Sequence, residues 1–203
     1  MASDPMHPAA SRTVLPVDLT LQIACARAGV PHRRSILRWV SAALSSTAPR
    51  QSATITIRFA GRAEARRLNK AYRGRDYATN VLTFSYPALP MPESRARGRR
   101  SASPPLQGDI VICPAVVAAE AREQAKTLVA HHAHLVVHGM LHLLGFDHEE
   151  DRAAEDMEGL ERKILDTLGY PDPYATSAVD ACHPKPLRGS VRTRKANATS
   201  HAR

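Results

Sequence analysis

Apolar and polar residues alternate in two stretches of the chain, and this two-residue period is typical of half-buried β-strands. The stretches are Val17–Ile23 and Thr54–Phe59. Thr79–Ser85 is rich in β-forming residues and predicts a third strand. The continuous apolar run Ile110–Ile112 predicts a short central strand that is buried on both faces.

Apolar residues at helical spacing, together with helix-start and helix-stop residues, predict five helices between and after these strands. The first starts at Pro31, the second covers Gly61–Arg73, the third starts at Pro114, the fourth covers about Leu128–Leu144 and ends at Gly145, and the fifth carries Met157, Leu160, Ile164 and Leu168. Interleaved strands and helices predict a single α/β (α+β) domain in which the helices cover the sheet.

Three segments lack a periodic pattern and are predicted to lie outside the packed core. Residues 1–12 and 175–203 are expected to be disordered, residues 13–174 to form the domain, and residues 88–107 to be a surface loop inserted into it. The net charge is +9. The tail contributes six basic residues against one acidic residue, and the loop contributes four against one. An anionic partner such as nucleic acid is one interpretation, and segments that merely increase solubility are the other.

Composition argues against several classes of protein. No apolar run approaches the roughly 18 residues that a membrane helix needs, and residues 1–12 do not resemble a secretory signal. The three cysteines form no Cys-x-x-Cys pair, so neither a disulfide framework nor a thiolate metal site is indicated. We therefore expect a cytosolic protein without membrane partners.

The most informative motif is His138-x-x-x-His142-x-x-Gly145-x-x-His148. Two histidines four residues apart point the same way from a helix, and the glycine allows the chain to turn so that a third histidine reaches the same ion. Three nitrogen ligands with a fourth position open to water are typical of catalytic zinc. We predict one zinc ion per chain on His138, His142 and His148.

Other histidines leave alternatives open. His134 lies one turn before His138 and is either a ligand or a residue that orients one. His148 is preferred because three histidines along one straight helix span too much length to surround an ion. His131 and His132 are interpreted as solvated or locally hydrogen-bonded. The competing hypothesis is that His138 and His142 belong to the core and bind no metal.

The histidine spacing is that of the metzincin proteases, with one difference. Those enzymes have a glutamate directly after the first histidine as general base, and here Gly139 occupies that position. This argues against peptide hydrolysis by the familiar route.

A second candidate site is the basic end of the second predicted helix. Arg73 lies at the turn before the third predicted strand, where it could donate two hydrogen bonds to a phosphate. Lys70 and Arg75 would extend this positive surface. A solvated helix face without function is the alternative.

Taken together, these residues resemble the YbeY family of bacterial endoribonucleases. The resemblance covers most of residues 15–174 and is carried by NKAYRGRDYATNVLTF (69–84), GDIVIC (108–113), HLVVHGMLHLLGFDH (134–148) and LGY-x-x-PY (168–174). It implies a central mixed sheet, a metal site in a cleft with zinc on His138, His142 and His148, and a functional role for Arg73. It also implies that single-stranded RNA is the substrate, in 16S ribosomal RNA 3′-end maturation and ribosome quality control, with small-subunit ribosomal proteins as further partners.

Two other functions are compatible with these residues. One is a zinc hydrolase with another substrate, such as a peptide. The other is a ribosome assembly factor in which the metal is mainly structural and RNA is bound without being cut.

Overall fold

The computed structural model describes residues 17–86, 104–146 and 151–175, and its elements follow the predicted order. They are β1 (Val17–Ala24), α1 (Arg33–Thr47), β2 (Ala53–Ala60), α2 (Arg62–Arg73), β3 (Val81–Ser85), β4 (Leu106–Ile112), α3 (Pro114–Glu123), α4 (Leu128–Leu143) and α5 (Asp151–Thr167).

The strands form one mixed sheet in the order β1-β2-β4-β3. Neighbours β1, β2 and β4 are parallel, whereas β3 runs antiparallel to β4 and lies at the edge of the sheet. The expected mixed sheet of an α/β domain is therefore confirmed. The inner strands β2 and β4 are the most buried, because helices pack over the sheet, whereas in the edge strand β1 only Leu19 is buried.

Helix α4 lies in the middle of the core. Ten of its residues are buried, and the seven apolar ones other than Gly139 pack with apolar residues of β2, β4, α1 and α5 in the main hydrophobic cluster. A smaller cluster of Ala60, Leu82 and Val111 packs with Leu68 of α2 and Phe84 of β3. Side chains on α4 are thus held by a rigid element between the sheet and α5.

One predicted boundary is wrong. Residues 88–107 were expected to be loop, but Leu106 and Gln107 belong to β4, where they pair with Ala53 and Thr54. The Leu106 amide also donates to the Ser52 carbonyl at 2.8 Å. The strand start was missed because Gln107 and Gly108 break the apolar run that predicted this strand.

Several predicted segments lie outside the described residues. They include residues 1–12, most of the loop, and all of the tail except Ala175, so these domain boundaries stay predictions. Among the described residues, no helix is both long enough and apolar enough to cross a membrane.

Candidate metal centre

Helix α4 presents three histidines on one face, toward a cavity. Thr127 caps the start of the helix by accepting a hydrogen bond from the Ala130 amide. His134, His138 and His142 follow at one-turn intervals, and all three line the cavity. Gly145 has φ +89, the left-handed conformation expected where the chain leaves the helix.

His138 and His142 direct the same ring nitrogen toward one point, since their Nε2 atoms lie 3.2 Å apart. On the opposite side of the ring, the Nδ1 of His142 lies 3.1 Å from the Phe146 carbonyl oxygen. A carbonyl only accepts, so this Nδ1 carries the proton and Nε2 carries the lone pair. Two imidazole nitrogens on a tetrahedral zinc ion lie about 3.3 Å apart. The pair therefore fits a shared metal ion.

Glu161 of α5 contacts two of the three histidines, His134 and His138. Its carboxylate is fully buried and lies 2.7 Å from the Nδ1 of His138 and 3.0 Å from the Nε2 of His134. It also accepts a hydrogen bond from the Tyr174 hydroxyl. Burial alone would raise the pKa of Glu161, but the hydrogen bonds from His134 and His138 outweigh it and lower the pKa to about 2. The carboxylate is therefore ionised and oriented.

A second possible ligand set shares only His138 with the His138–His142 pair. His134, His138 and Glu161 each offer one ligand atom, and these atoms all lie within 4.8 Å of one another. This group could hold a metal ion. Sequence reasoning missed Glu161 because it lies on another helix, 23 residues from His138.

The third predicted zinc ligand, His148, lies outside the described residues, because residues 147–150 are not described. The structure brings His138 and His142 together, and the place of His148 beside them stays a prediction.

Arg73, the last residue of α2, lines the same cavity as the histidines, together with Arg75. Arg66 and Lys70 both donate to the Asp76 carboxylate, at 2.7 Å and 3.1 Å. The hydrogen bond from Arg66, followed by that from Lys70, lowers the pKa of Asp76 well below its usual range. Lys70 is therefore partly neutralised, and the predicted positive surface at the cavity is carried by the two arginines.

A partly buried network of hydrogen bonds reaches the cavity through Asn80. Asn80, which lines it, donates through Nδ2 to Glu120 at 3.0 Å. Glu120 is also 2.8 Å from the Nε2 of His131. His131 and His132 are 3% and 1% exposed, because other elements surround α4. The interpretation as solvated histidines is therefore wrong, and the alternative, a hydrogen-bonded side chain, is confirmed for His131.

Burial of His132 makes the free energy of unfolding depend on pH. It packs edge-on against Phe59, and burial lowers its pKa from 6.5 to about 4. The unfolded chain takes up this proton near pH 6.5, whereas the folded chain takes it up only near pH 4. Above pH 6.5 His132 is neutral in both states and the folded chain has its full stability. As the pH falls from 6.5 to 4, we expect the free energy of unfolding to decrease by about 3 kcal/mol.

Urea denaturation between pH 7 and pH 4, with a chelator present throughout, measures this effect. The matched variant is His132→Gln, which keeps a polar side chain but does not titrate. Its free energy of unfolding should fall less steeply with pH than that of the wild type. Identical slopes for the two proteins would show that His132 does not carry this term.

Comparison with known proteins identifies the chain. The family model for Endoribonuclease YbeY matches residues 27–169. The chain is 52% identical to Endoribonuclease YbeY of Stenotrophomonas maltophilia over 159 residues, which cover 78% of this chain and 94% of that protein. The chain belongs to the YbeY family of metal-dependent endoribonucleases. The resemblance seen in the sequence is confirmed.

Two further relatives carry the same family name. The Aromatoleum aromaticum YbeY is 54% identical over 149 residues, covering 73% of this chain and 84% of that protein. The Cupriavidus necator YbeY is 51% identical over 148 residues, covering 73% of this chain and 66% of that protein. The comparison with solved structures finds a solution structure of a Thermotoga maritima protein. The match covers 77% of this chain and 99% of that protein, with 21% sequence identity and a TM-score of 0.44.

The structure explains why this YbeY family member has no glutamate after its first motif histidine. A Cβ atom on Gly139 would lie 3.0 Å from Cδ1 and 3.2 Å from Cγ2 of Ile110 on β4. Position 139 therefore faces the sheet, away from the row of histidines, and its lack of a side chain lets α4 approach β4. A glutamate here would be buried against apolar atoms and could not act as a base in the cavity.

Gly139→Glu is accordingly expected to lower the free energy of unfolding by more than about 3 kcal/mol, because it combines overpacking with an unpaired buried carboxylate. Circular dichroism and urea denaturation measure the loss. Gly159→Glu is the matched control, since position 159 on α5 is exposed and a Cβ there meets no atom within 4 Å. A Gly139→Glu protein as stable as this control would contradict the packing argument.

Proposed function

We propose that this chain is a zinc-dependent endoribonuclease that cleaves single-stranded RNA, with His138, His142 and His148 as zinc ligands and Arg73 as the phosphate-binding residue. The observation that carries the proposal is the 3.2 Å approach of the His138 and His142 Nε2 atoms in the cavity that Arg73 lines. Family membership supplies the reaction class, and the two imidazoles together with an arginine supply groups suited to it.

The assignment of His142 over His134 as a ligand rests on the hydrogen bonds of each ring. His142 is oriented by a carbonyl oxygen that can only accept, and His138 is oriented by the Glu161 carboxylate. Zinc-bound histidines commonly donate their other nitrogen to a carbonyl or a carboxylate in this way. The Nε2 of His134 instead points to Glu161. Glu161 and His134 are therefore assigned to orienting the ligands.

The ligand side chains and Arg73 have separate roles in the proposed reaction. When bound, zinc supplies Lewis-acid chemistry that stabilises negative charge on oxygen. Glu161 and the Phe146 carbonyl hold the Nδ1 protons of His138 and His142, which keeps both rings in one tautomer. Arg73 binds the scissile phosphate and stabilises the charge that develops on it in the transition state.

RNA as the substrate is supported by the family and by the charge of the cavity wall. Arg73 and Arg75 line the cavity, and both are exposed. Such residues bind the phosphate backbone and release counterions, so the affinity falls as salt rises. We propose maturation of the 16S ribosomal RNA 3′ end and ribosome quality control in the cytoplasm as the cellular role, with small-subunit ribosomal proteins as partners.

The test combines three measurements on the purified wild-type protein: zinc content by elemental analysis, cleavage of single-stranded and duplex RNA of the same sequence, and RNA affinity across a salt series. We expect one zinc ion per chain, cleavage of the single strand that a chelator abolishes, and a log–log salt slope of about −0.7 for each phosphate contact. Bound zinc with RNA binding but no cleavage would favour the assembly-factor function. RNA affinity independent of salt would contradict the proposal.

A further inference from the structure

Tyr77 is an exposed aromatic residue that is hydrogen-bonded to an arginine of the cavity wall. It lies in the loop between α2 and β3, and 53% of its surface is exposed. Its hydroxyl accepts a hydrogen bond of 3.2 Å from Arg75 Nη1, and Arg75 is one of the residues that line the cavity. The phenol ring is thus tied to a cation of the proposed phosphate-binding wall.

The backbone beneath this ring is also fixed. Asn69 of α2 is 1% exposed, and its Nδ2 donates to the Tyr77 carbonyl at 2.9 Å. The Asn69 carbonyl in turn accepts from the Arg75 amide at 3.3 Å. Because the loop is anchored by a buried amide, an exposed ring that stacks on a ligand loses little further conformational entropy.

Three other exposed tyrosines in this region have different surroundings. Tyr174 lines the cavity, but its hydroxyl donates to the buried Glu161 carboxylate. The Tyr86 hydroxyl donates to the Asp109 carboxylate at 2.7 Å, which places a negative charge beside it. Tyr72 packs edge-on against Phe84, with ring centroids 4.9 Å apart. Tyr77 is therefore the exposed tyrosine of this region whose hydroxyl is bonded to a cavity-lining arginine.

We propose that Tyr77 is a stacking platform for an RNA base adjacent to the phosphate held by Arg73 and Arg75, a role that rests on the proposed endoribonuclease function. Bases have apolar π-faces next to a charged backbone, so an exposed ring bonded to Arg75, one of the two arginines that line the cavity, matches both parts of a nucleotide. Stacking of this kind accepts any base. It secures the strand beside the reacting phosphate without selecting a sequence.

The experiment compares two ligands that carry the same phosphates. A fluorescein-labelled single-stranded RNA and an abasic strand of equal length are titrated with the wild type, Tyr77→Ala, Tyr77→Trp and Tyr86→Ala, and anisotropy gives each Kd. Titrations are made at low temperature, and a gel confirms that the strand is intact. Tyr77→Ala is expected to weaken binding of the base-bearing strand by about 5- to 150-fold and to leave abasic binding unchanged. Tyr77→Trp and Tyr86→Ala should bind both strands like the wild type.

The outcomes separate this inference from the proposed function. If Tyr77→Ala weakens binding of both strands equally, the residue acts through the position of Arg75 and the stacking role is wrong. Unchanged binding of the base-bearing strand overturns it as well. If the wild type binds neither strand, the proposed function fails, and the stacking role fails with it.

Discussion

Alanine in place of His142 is expected to remove both the zinc ion and RNA cleavage. The Nε2 of His142 lies 3.2 Å from that of His138, and the Phe146 carbonyl keeps the proton on the other nitrogen of its ring. Residues that only orient a zinc ligand contribute about 10- to 100-fold in metal affinity, so loss of a ligand should cost more than about 100-fold. Elemental analysis and RNA cleavage on the same preparation measure both effects.

His134→Ala is the informative comparison, because it distinguishes the two possible ligand sets. If His138, His142 and His148 hold the metal, His134→Ala keeps one zinc ion per chain, whereas His142→Ala does not. The reverse result would identify His134, His138 and Glu161 as the ligands. His32→Ala, at an exposed histidine before α1, is the control and should keep both metal and cleavage. Circular dichroism verifies that each variant is folded.

The centre of the site could be predicted from sequence because it depends on local geometry. Histidines at one-turn spacing on an apolar helix face one direction whatever surrounds the helix, and a glycine three residues after the second histidine predicts where the helix ends. His138, His142 and Gly145 meet these expectations. The alternation of apolar and polar residues in β1 and β2 likewise indicates that one face of each strand is more buried than the other. This pattern does not depend on the order of strands in the sheet.

The supporting residues could not be predicted, because they come from other elements. Glu161 follows several acidic residues on α5, and nothing in the local pattern marks it as a carboxylate that is buried beside two histidines. Tyr174 donates to the same carboxylate from beyond α5, whereas in the sequence it stands out only as part of the LGY-x-x-PY motif. His131 and His132 read as polar, but the packing of α4 among α1, α3 and α5 buries them. Such contacts depend on tertiary arrangement.

Arg73→Ala is expected to lower kcat by about 10²- to 10³-fold, the range found when one donor to a developing oxyanion is removed. Arg73 lines the cavity with His138 and His142, and it makes no ion pair with any other described residue that would satisfy its guanidinium. Zinc content should stay unchanged, because the arginine contributes no ligand. Single-turnover cleavage of a short single-stranded RNA separates this effect from RNA binding.

Two variants test whether position, rather than charge alone, explains the effect. Arg67→Ala removes an exposed arginine from the same helix that does not line the cavity, so it should change kcat little. Arg73→Lys keeps the charge but loses the two-pronged hydrogen bonding to phosphate, and its kcat should fall between those of the wild type and Arg73→Ala. Equal losses in Arg67→Ala and Arg73→Ala would mean that α2 attracts RNA through its overall charge. Arg73 would then have no special place beside the scissile phosphate, and the transition-state role proposed for it would be wrong.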